Sequence, residues 1–239
     1  MRKGSNTAAK TRHEGRKAVA RARSSGRSGL VWWLLASGAV VVAAAMIVVF
    51  TLTKLPGGQH ASVAKGPVIN SPPATIAVGD YTTPPWPAPA DASAAVNAAG
   101  LPMLSREGSV EHIHAHLDVL VGGQPVQVPA GIGIDSRRRT ISPLHTHDDS
   151  GVIHIESPVK RQFSLGEFFS EWLVSLSASN IGALRAGDGK VVRVFVNGTQ
   201  QSGNPGAVVL GPHDEIAVVY DRPQAGETIP SNYDFRGGL

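Results

Sequence analysis

Residues 29–53 read GLVWWLLASGAVVVAAAMIVVFTLT, a stretch without a charge or a proline. A helix rising 1.5 Å per residue over such a run reaches across a bilayer core of about 30 Å. Trp32 and Trp33 stand near one end, where an aromatic belt would lie. The run exceeds the apolar region of a signal peptide, about 7–15 residues, and the small-residue pattern Ser62-Val63-Ala64 falls well past it. The expectation is an uncleaved transmembrane helix. Arg21, Arg23 and Arg27 precede it and only Lys54 follows closely. By the positive-inside rule the N-terminus is then cytoplasmic and the remainder extracytoplasmic. This is the pattern of a single-pass protein of the cell membrane, with the lipid bilayer as its first partner.

Charge is distributed in keeping with that reading. Residues 1–29 hold nine Lys or Arg and one acid, whereas beyond Lys54 twelve basic residues face seventeen acidic ones. The formal net charge of +4 is thus a property of the tail. Residues 1–28 lack apolar periodicity and read as a basic disordered tail attracted to anionic headgroups. No nucleic-acid partner is expected. Residues 54–90 carry eight prolines, from Pro56 to Pro89, and read as an extended stalk. Residues 91–222 form the extracytoplasmic domain and residues 223–239 an irregular C-terminal tail, which Ile229, Tyr233 and Phe235 would tack down.

Within the domain, DASAAVNAA suggests a short helix ended by Gly100. HIHAHLDVLV alternates like a strand, and Gly122-Gly123 turns it into a return strand over residues 124–128. Another strand covers residues 151–157. Ser164 and Glu167 form a capping box that opens a helix whose apolar stripe is Leu165, Phe168, Phe169, Trp172 and Leu173. Strands follow at 190–196, 207–210 and 215–220, with Asn197-Gly198 as a turn. A small mixed sheet with one packed helix is an α+β arrangement, here β-grasp-like in its order of elements and placed after the N-terminal transmembrane helix.

Six of the nine histidines fall in two stretches: His112, His114 and His116 in HIHAH, and His145, His147 and His154 in HTHDDSGVIH. Residues two apart on a strand share a face, so each set presents imidazoles in one direction. Imidazole suits zinc and copper, and carboxylates can complete the shell. All six are candidate ligands. An ion takes only about four of them, one of the first three joining His145, His147 and His154, and the spare histidines would lie outside its shell. Asp118, Asp148 and Glu156 are candidates to orient the ligand rings. The plain alternative is a polar strand face or an internal hydrogen-bond network. The chain has no cysteine, which excludes disulfides, thiolate metal sites and a cysteine nucleophile. Its three methionines, Met1, Met46 and Met103, are too scattered for a copper(I) site.

The blocks GLPML, HIHAHLDVLVGGQPVQVPAGIGI, SPLHTHDDSGVIHIESP and FSLGEFFSEW, followed by VFVNG, HDEIAVVY and IPSNYDF, resemble a bacterial family of uncharacterised single-pass membrane proteins with a His-rich extracytoplasmic domain. The resemblance covers residues 91–239 and implies a domain boundary rather than a reaction. Three functions stay open. The first is a membrane-anchored module binding a divalent metal, Zn or Cu. The second is a metal-dependent enzyme in which Glu156 or Asp148 acts as base; no HExxH, GxSxG or phosphate-binding loop is present. The third is a scaffold without metal.

Overall fold

Alternation in residues 111–121 is the seed of the architecture. A computed structural model of the chain describes residues 68–235. In chain order the helix α1 (Ala92–Ala98) is followed by strands β1 (Glu111–Val121), β2 (Gln124–Val126), β3 (Ile134–Asp135), β4 (Thr140–Ile141), β5 (Leu144–His145) and β6 (Val152–Ser157). Helix α2 (Leu165–Glu171) comes next. It is followed by β7 (Leu176–Ser177), β8 (Asn180–Ile181), β9 (Leu184–Arg185), β10 (Val191–Val196), β11 (Thr199–Gln201) and β12 (Glu215–Asp221).

The main sheet has seven strands in the order β11-β10-β12-β1-β6-β5, with β2 also on β1. β1 runs parallel to β12 and antiparallel to β6, so the sheet is mixed. One face of β1 offers Ala115, Leu117 and Val119 to the main core, where Ile216 and Val218 of β12 join Phe168, Phe169 and Trp172 of the helical layer. The other face carries the histidines. Farther along that face a small apolar cluster of Phe195, Ala217 and Val219 is covered by Ile229 from the C-terminal segment.

Both helices are bounded by local capping. Asp91 accepts the Ala94 amide at the start of α1, and Gly100, at φ 78°, reverses the chain after it. At α2 the Ser164 hydroxyl accepts the Glu167 amide at 3.1 Å while the Glu167 carboxylate accepts the Ser164 amide at 3.0 Å. This is the reciprocal pairing of a capping box. The helix ends in a 6→1 bond from Val174 N–H to the Phe169 carbonyl, with Leu173 held at φ 57°. Leu173 therefore lies just past the helix rather than on its stripe.

Several expectations are corrected. The segment over residues 29–53 lies outside the described residues, as does the basic tail. Among the described residues no helix is long and apolar enough to cross a membrane. α1 and α2 have seven residues each, about 10 Å of helix against the roughly 30 Å a bilayer needs. Among the described residues the fold is α+β with a mixed sheet and two helices, and none of them is the expected transmembrane helix. No described residue supports the single-pass cell-membrane location or the bilayer and headgroup partners. The sheet is larger than the small β-grasp-like one expected, because β5 and β6 extend it beyond β1. Residues 207–210 do not form a strand: a 3₁₀ turn, Pro205–Ala207, leads to a single bridge between Val209 and Ser164. Of the proline-rich residues before α1, the described ones include several packed against the domain. Ala77 bridges Leu176, Asp80 bridges Val174, and Trp86 is buried in the core edge-to-face with Trp172.

Candidate metal centre

The site is produced by strand register. In the β1–β6 pair His114 lies opposite His154 and His112 opposite Glu156. In the β5–β6 pair His145 lies opposite His154. Residues directly opposed in an antiparallel pair share a face. His114, His154 and His145 thus form a row across three neighbouring strands, with His112 and Glu156 alongside. The turn after β5 brings His147 back over the row.

The ring nitrogens converge. His114 Nε2 lies 3.1 Å from His154 Nδ1, and His145 Nε2 lies 3.2 Å from His147 Nε2. His145, His147 and His154 each place a nitrogen within 4.8 Å of the others. Two ligands about 2.0–2.1 Å from a tetrahedral ion sit roughly 3.3 Å from each other. These spacings therefore suit donors around a cation as well as they suit hydrogen bonds. One tautomer is dictated by its partner. His145 Nδ1 is 3.0 Å from the Ser142 carbonyl oxygen, which can only accept, so Nδ1 carries the proton. The lone pair of His145 is then on Nε2, facing His147.

Glu156 stands at the centre of the donors. Its Oε1 lies 3.0 Å from His154 Nδ1, 3.7 Å from His112 Nε2 and 3.9 Å from His114 Nε2. Its Oε2 is buried and has no hydrogen-bond partner. Glu156, His112 and His114 form a second convergent group, and Glu156 forms a third with His145 and Glu107. The floor of the site is closed, with the His114 and Glu156 side chains each 5% exposed, while His112 and His147 reach solvent at 56% and 45%. Glu107 guards that open side, 3.5 Å from His147 Nε2.

Electrostatics prepare the rings to ligate. Burial, aided by the neighbouring His154 and His112, lowers the His114 pKa to about 4. Burial likewise takes His145 down to about 4. Both are neutral at pH 7, the form that binds metal. For Glu156 burial alone would raise the pKa, but the His154 hydrogen bond and the charges of His145 and His112 outweigh it and bring it to about 2. The result is a buried carboxylate beside the neutral rings of His114 and His145, an anion in want of a cation.

His116 is differently occupied. Its Nδ1 lies 2.6 Å from Glu215 Oε2 and its Nε2 donates to the Ser150 carbonyl at 2.7 Å, while Tyr233 stacks on the ring at 3.8 Å. Burial pulls its pKa down, but the Glu215 hydrogen bond and charge prevail and raise it. With Asp118 and Glu215 it forms a separate group of potential ligands. Asp148 accepts the Ser150 amide and Asp149 the Ala130 amide, so both shape the loop, and Asp148 also interacts electrostatically with His154 and His147.

Three acids had drawn no attention in the sequence. Glu107 is in an irregular segment with no pattern around it; it is placed by Gly108, where a Cβ would fall 2.0 Å from the Ser157 carbonyl carbon. Glu215 begins an otherwise apolar strand, a polar break in EIAVVY that could have marked it. Glu171 lies fully buried on α2 and accepts the Ser142 hydroxyl at 2.5 Å, directly behind the carbonyl that orients His145.

No family model, curated protein or solved structure matches the chain. The resemblance to a bacterial family of single-pass membrane proteins is corrected on that ground. Clustered His and Glu side chains able to coordinate a metal ion are a property of this domain itself. Membrane anchoring is not part of that description.

Proposed function

We propose that this domain binds a divalent transition metal ion, zinc or copper(II), through His145, His147 and His154. The observation that supports it best is the convergence of the His145 and His147 Nε2 atoms at 3.2 Å, with the His145 proton held on the opposite nitrogen. The donor set is all nitrogen and oxygen, which suits these two ions and disfavours copper(I). His114 stands beside His154 and Glu156 supplies negative charge. His116 is left out of the shell because both its nitrogens are engaged.

The test is to purify the full chain without a polyhistidine tag, measure bound metal by mass spectrometry, and titrate zinc and copper(II) calorimetrically. Wild type should bind tighter than micromolar, and His145→Ala with His147→Ala should abolish that binding. Uptake of neither ion above micromolar affinity, or an unchanged affinity in the double variant, overturns the reading.

One further feature favours a metal-dependent enzyme over simple storage. Three histidines leave a fourth position, and the exposed side by His147 and Glu107 is where it would open. Glu107 could accept a proton from a water there. Metal-dependent hydrolysis of an activated ester that falls in Glu107→Gln at unchanged metal content would support it.

A further inference from the structure

Six donors spread over three strands exceed what one tetrahedral ion can use. β1 and β5 are separated by β6, so their backbones are about 10 Å apart. An ion held about 2.0–2.1 Å from His145 and His147 leaves His112 and His114 with no ion of their own. Yet these two and Glu156 also bring their ligand atoms within 4.8 Å of one another. The carboxylate belongs to both neighbourhoods, for it also groups with His145 and Glu107. We infer that His112, His114 and Glu156 hold a second divalent transition metal ion beside the first, with the Glu156 carboxylate bridging the two.

The inference rests on the mononuclear reading above and adds an independent observation. Glu156 Oε2 is buried without a partner, on a side chain only 5% exposed, while Oε1 faces His154, His112 and His114. A carboxylate desolvated to that degree without a second partner is costly. A bridging carboxylate uses one oxygen for each ion, which assigns a role to both. Two-metal sites set their ions about 3.5–4 Å apart, close enough for one carboxylate to span. His112 is exposed, so the second ion has a path from solvent. His154 lies between the groups, 3.1 Å from His114 and within reach of His145 and His147. A ligating imidazole nitrogen gives its lone pair to one ion only.

Stoichiometry decides the matter. The full-length chain, untagged, is titrated with zinc(II) and its bound metal counted by mass spectrometry; copper(II) loading is followed by electron paramagnetic resonance. The expected wild-type result is two ions per chain and, with copper(II), a dipolar-coupled signal with a half-field transition. His112→Ala, on an exposed side chain that leaves the fold alone, should weaken the second ion at least tenfold. His112→Ala with His114→Ala, and separately Glu156→Gln, should leave one ion and an uncoupled copper signal. Thermal melts confirm folding of each variant. One ion in wild type, unaffected by His112→Ala, overturns the second site while the first stands. One ion lost equally from the His112 and the His147 variants means a single ion shared by both sets and also overturns it. No ion at all defeats the mononuclear reading as well, so the two failures are distinct.

Discussion

Replacing Trp86 with alanine asks whether the proline-rich segment before α1 is a spacer or a wall of the core. The indole is 3% exposed, packs edge-to-face on Trp172 with centroids 5.9 Å apart, and donates its N–H to the Thr82 carbonyl at 3.0 Å. Its backbone carbonyl accepts the Trp172 indole N–H at 3.2 Å. A buried tryptophan hides about 150–250 Å² of surface, roughly 4–6 kcal/mol at about 25 cal/mol per Å². Rigid neighbours preserve the cavity: Gly182 approaches so closely that a Cβ there would lie 2.9 Å from the indole. Measured losses for buried tryptophan and phenylalanine, about 3–5 kcal/mol, lead us to expect about 4 kcal/mol. For a domain of this size that is roughly 8–16 °C in Tm. Urea melts followed by far-ultraviolet circular dichroism give the value, and the same assay should show a comparable loss for Trp172→Ala. A spacer residue would cost less than about 0.5 kcal/mol. A loss below about 1 kcal/mol would refute the packing of this segment into the core.

The remaining outcomes concern charge and close approach. Burial raises the Glu171 pKa well above its usual value, and a raised carboxyl contributes stability at low pH that is lost as pH rises through its folded pKa. Glu171→Gln should therefore raise Tm at pH 8 more than at pH 5; equal shifts at both would show that the carboxyl is not held neutral. His114 and His145, both lowered to about 4, leave the unfolded chain binding more protons between about pH 6.5 and 4. The metal-free domain should lose stability as pH falls through that window, by up to about 1.4 kcal/mol per pH unit for each ring. A Tm in chelator that stays flat from pH 7 to 4.5 would count against two buried neutral rings. At Gly79 a Cβ would meet the Val174 backbone at 2.4 Å. Gly79→Ala should therefore lower Tm by several degrees by lifting the segment off Val174, and an unchanged melt would show the contact to be loose.

The sequence was most informative where a single local rule governs. The α2 capping box, the stop at Gly100 and the strand-like alternation of β1 all depend on neighbours within about four residues, and all are present. The histidine pattern named all the imidazoles of the row, but it could not say which would meet. That depends on register: the pairing of His114 with His154 and of His154 with His145 joins residues far apart in the chain. Register also removed His116, whose neighbours across the sheet are Val152 and Glu215. The packing of Trp86 could not be read from composition, because prolines disfavour helix and sheet without preventing an irregular chain from covering a core. Glu171 was concealed by the same limit, since periodicity marks the apolar face of a helix and says nothing about what covers the polar one.

The centre is costly to the protein that carries it, and the cost explains its construction. Lowering His114 and His145 to about 4 means that burial has made their charged forms unfavourable, and Glu156 is held ionised with one oxygen unpartnered. A hydrophobic substitution across this face would relieve all three. The sheet instead fixes the groups firmly: β1 and β6 pair from Glu111–Ser157 to His116–Val152, and β5 is locked by Leu144 and His145. Behind His145, Glu171 holds Ser142, whose carbonyl in turn fixes the ring proton. A polar network of this kind contributes little to stability on its own and is informative mainly about what it positions. A cation bound at these nitrogens would pair the Glu156 charge, use the lone pairs that burial keeps unprotonated, and bind only the folded state, where register brings the three strands together. Metal occupancy should consequently stabilise the fold in proportion to the logarithm of free metal above its Kd, and that linkage would offset the cost of a site built across the β1-β6-β5 end of the sheet.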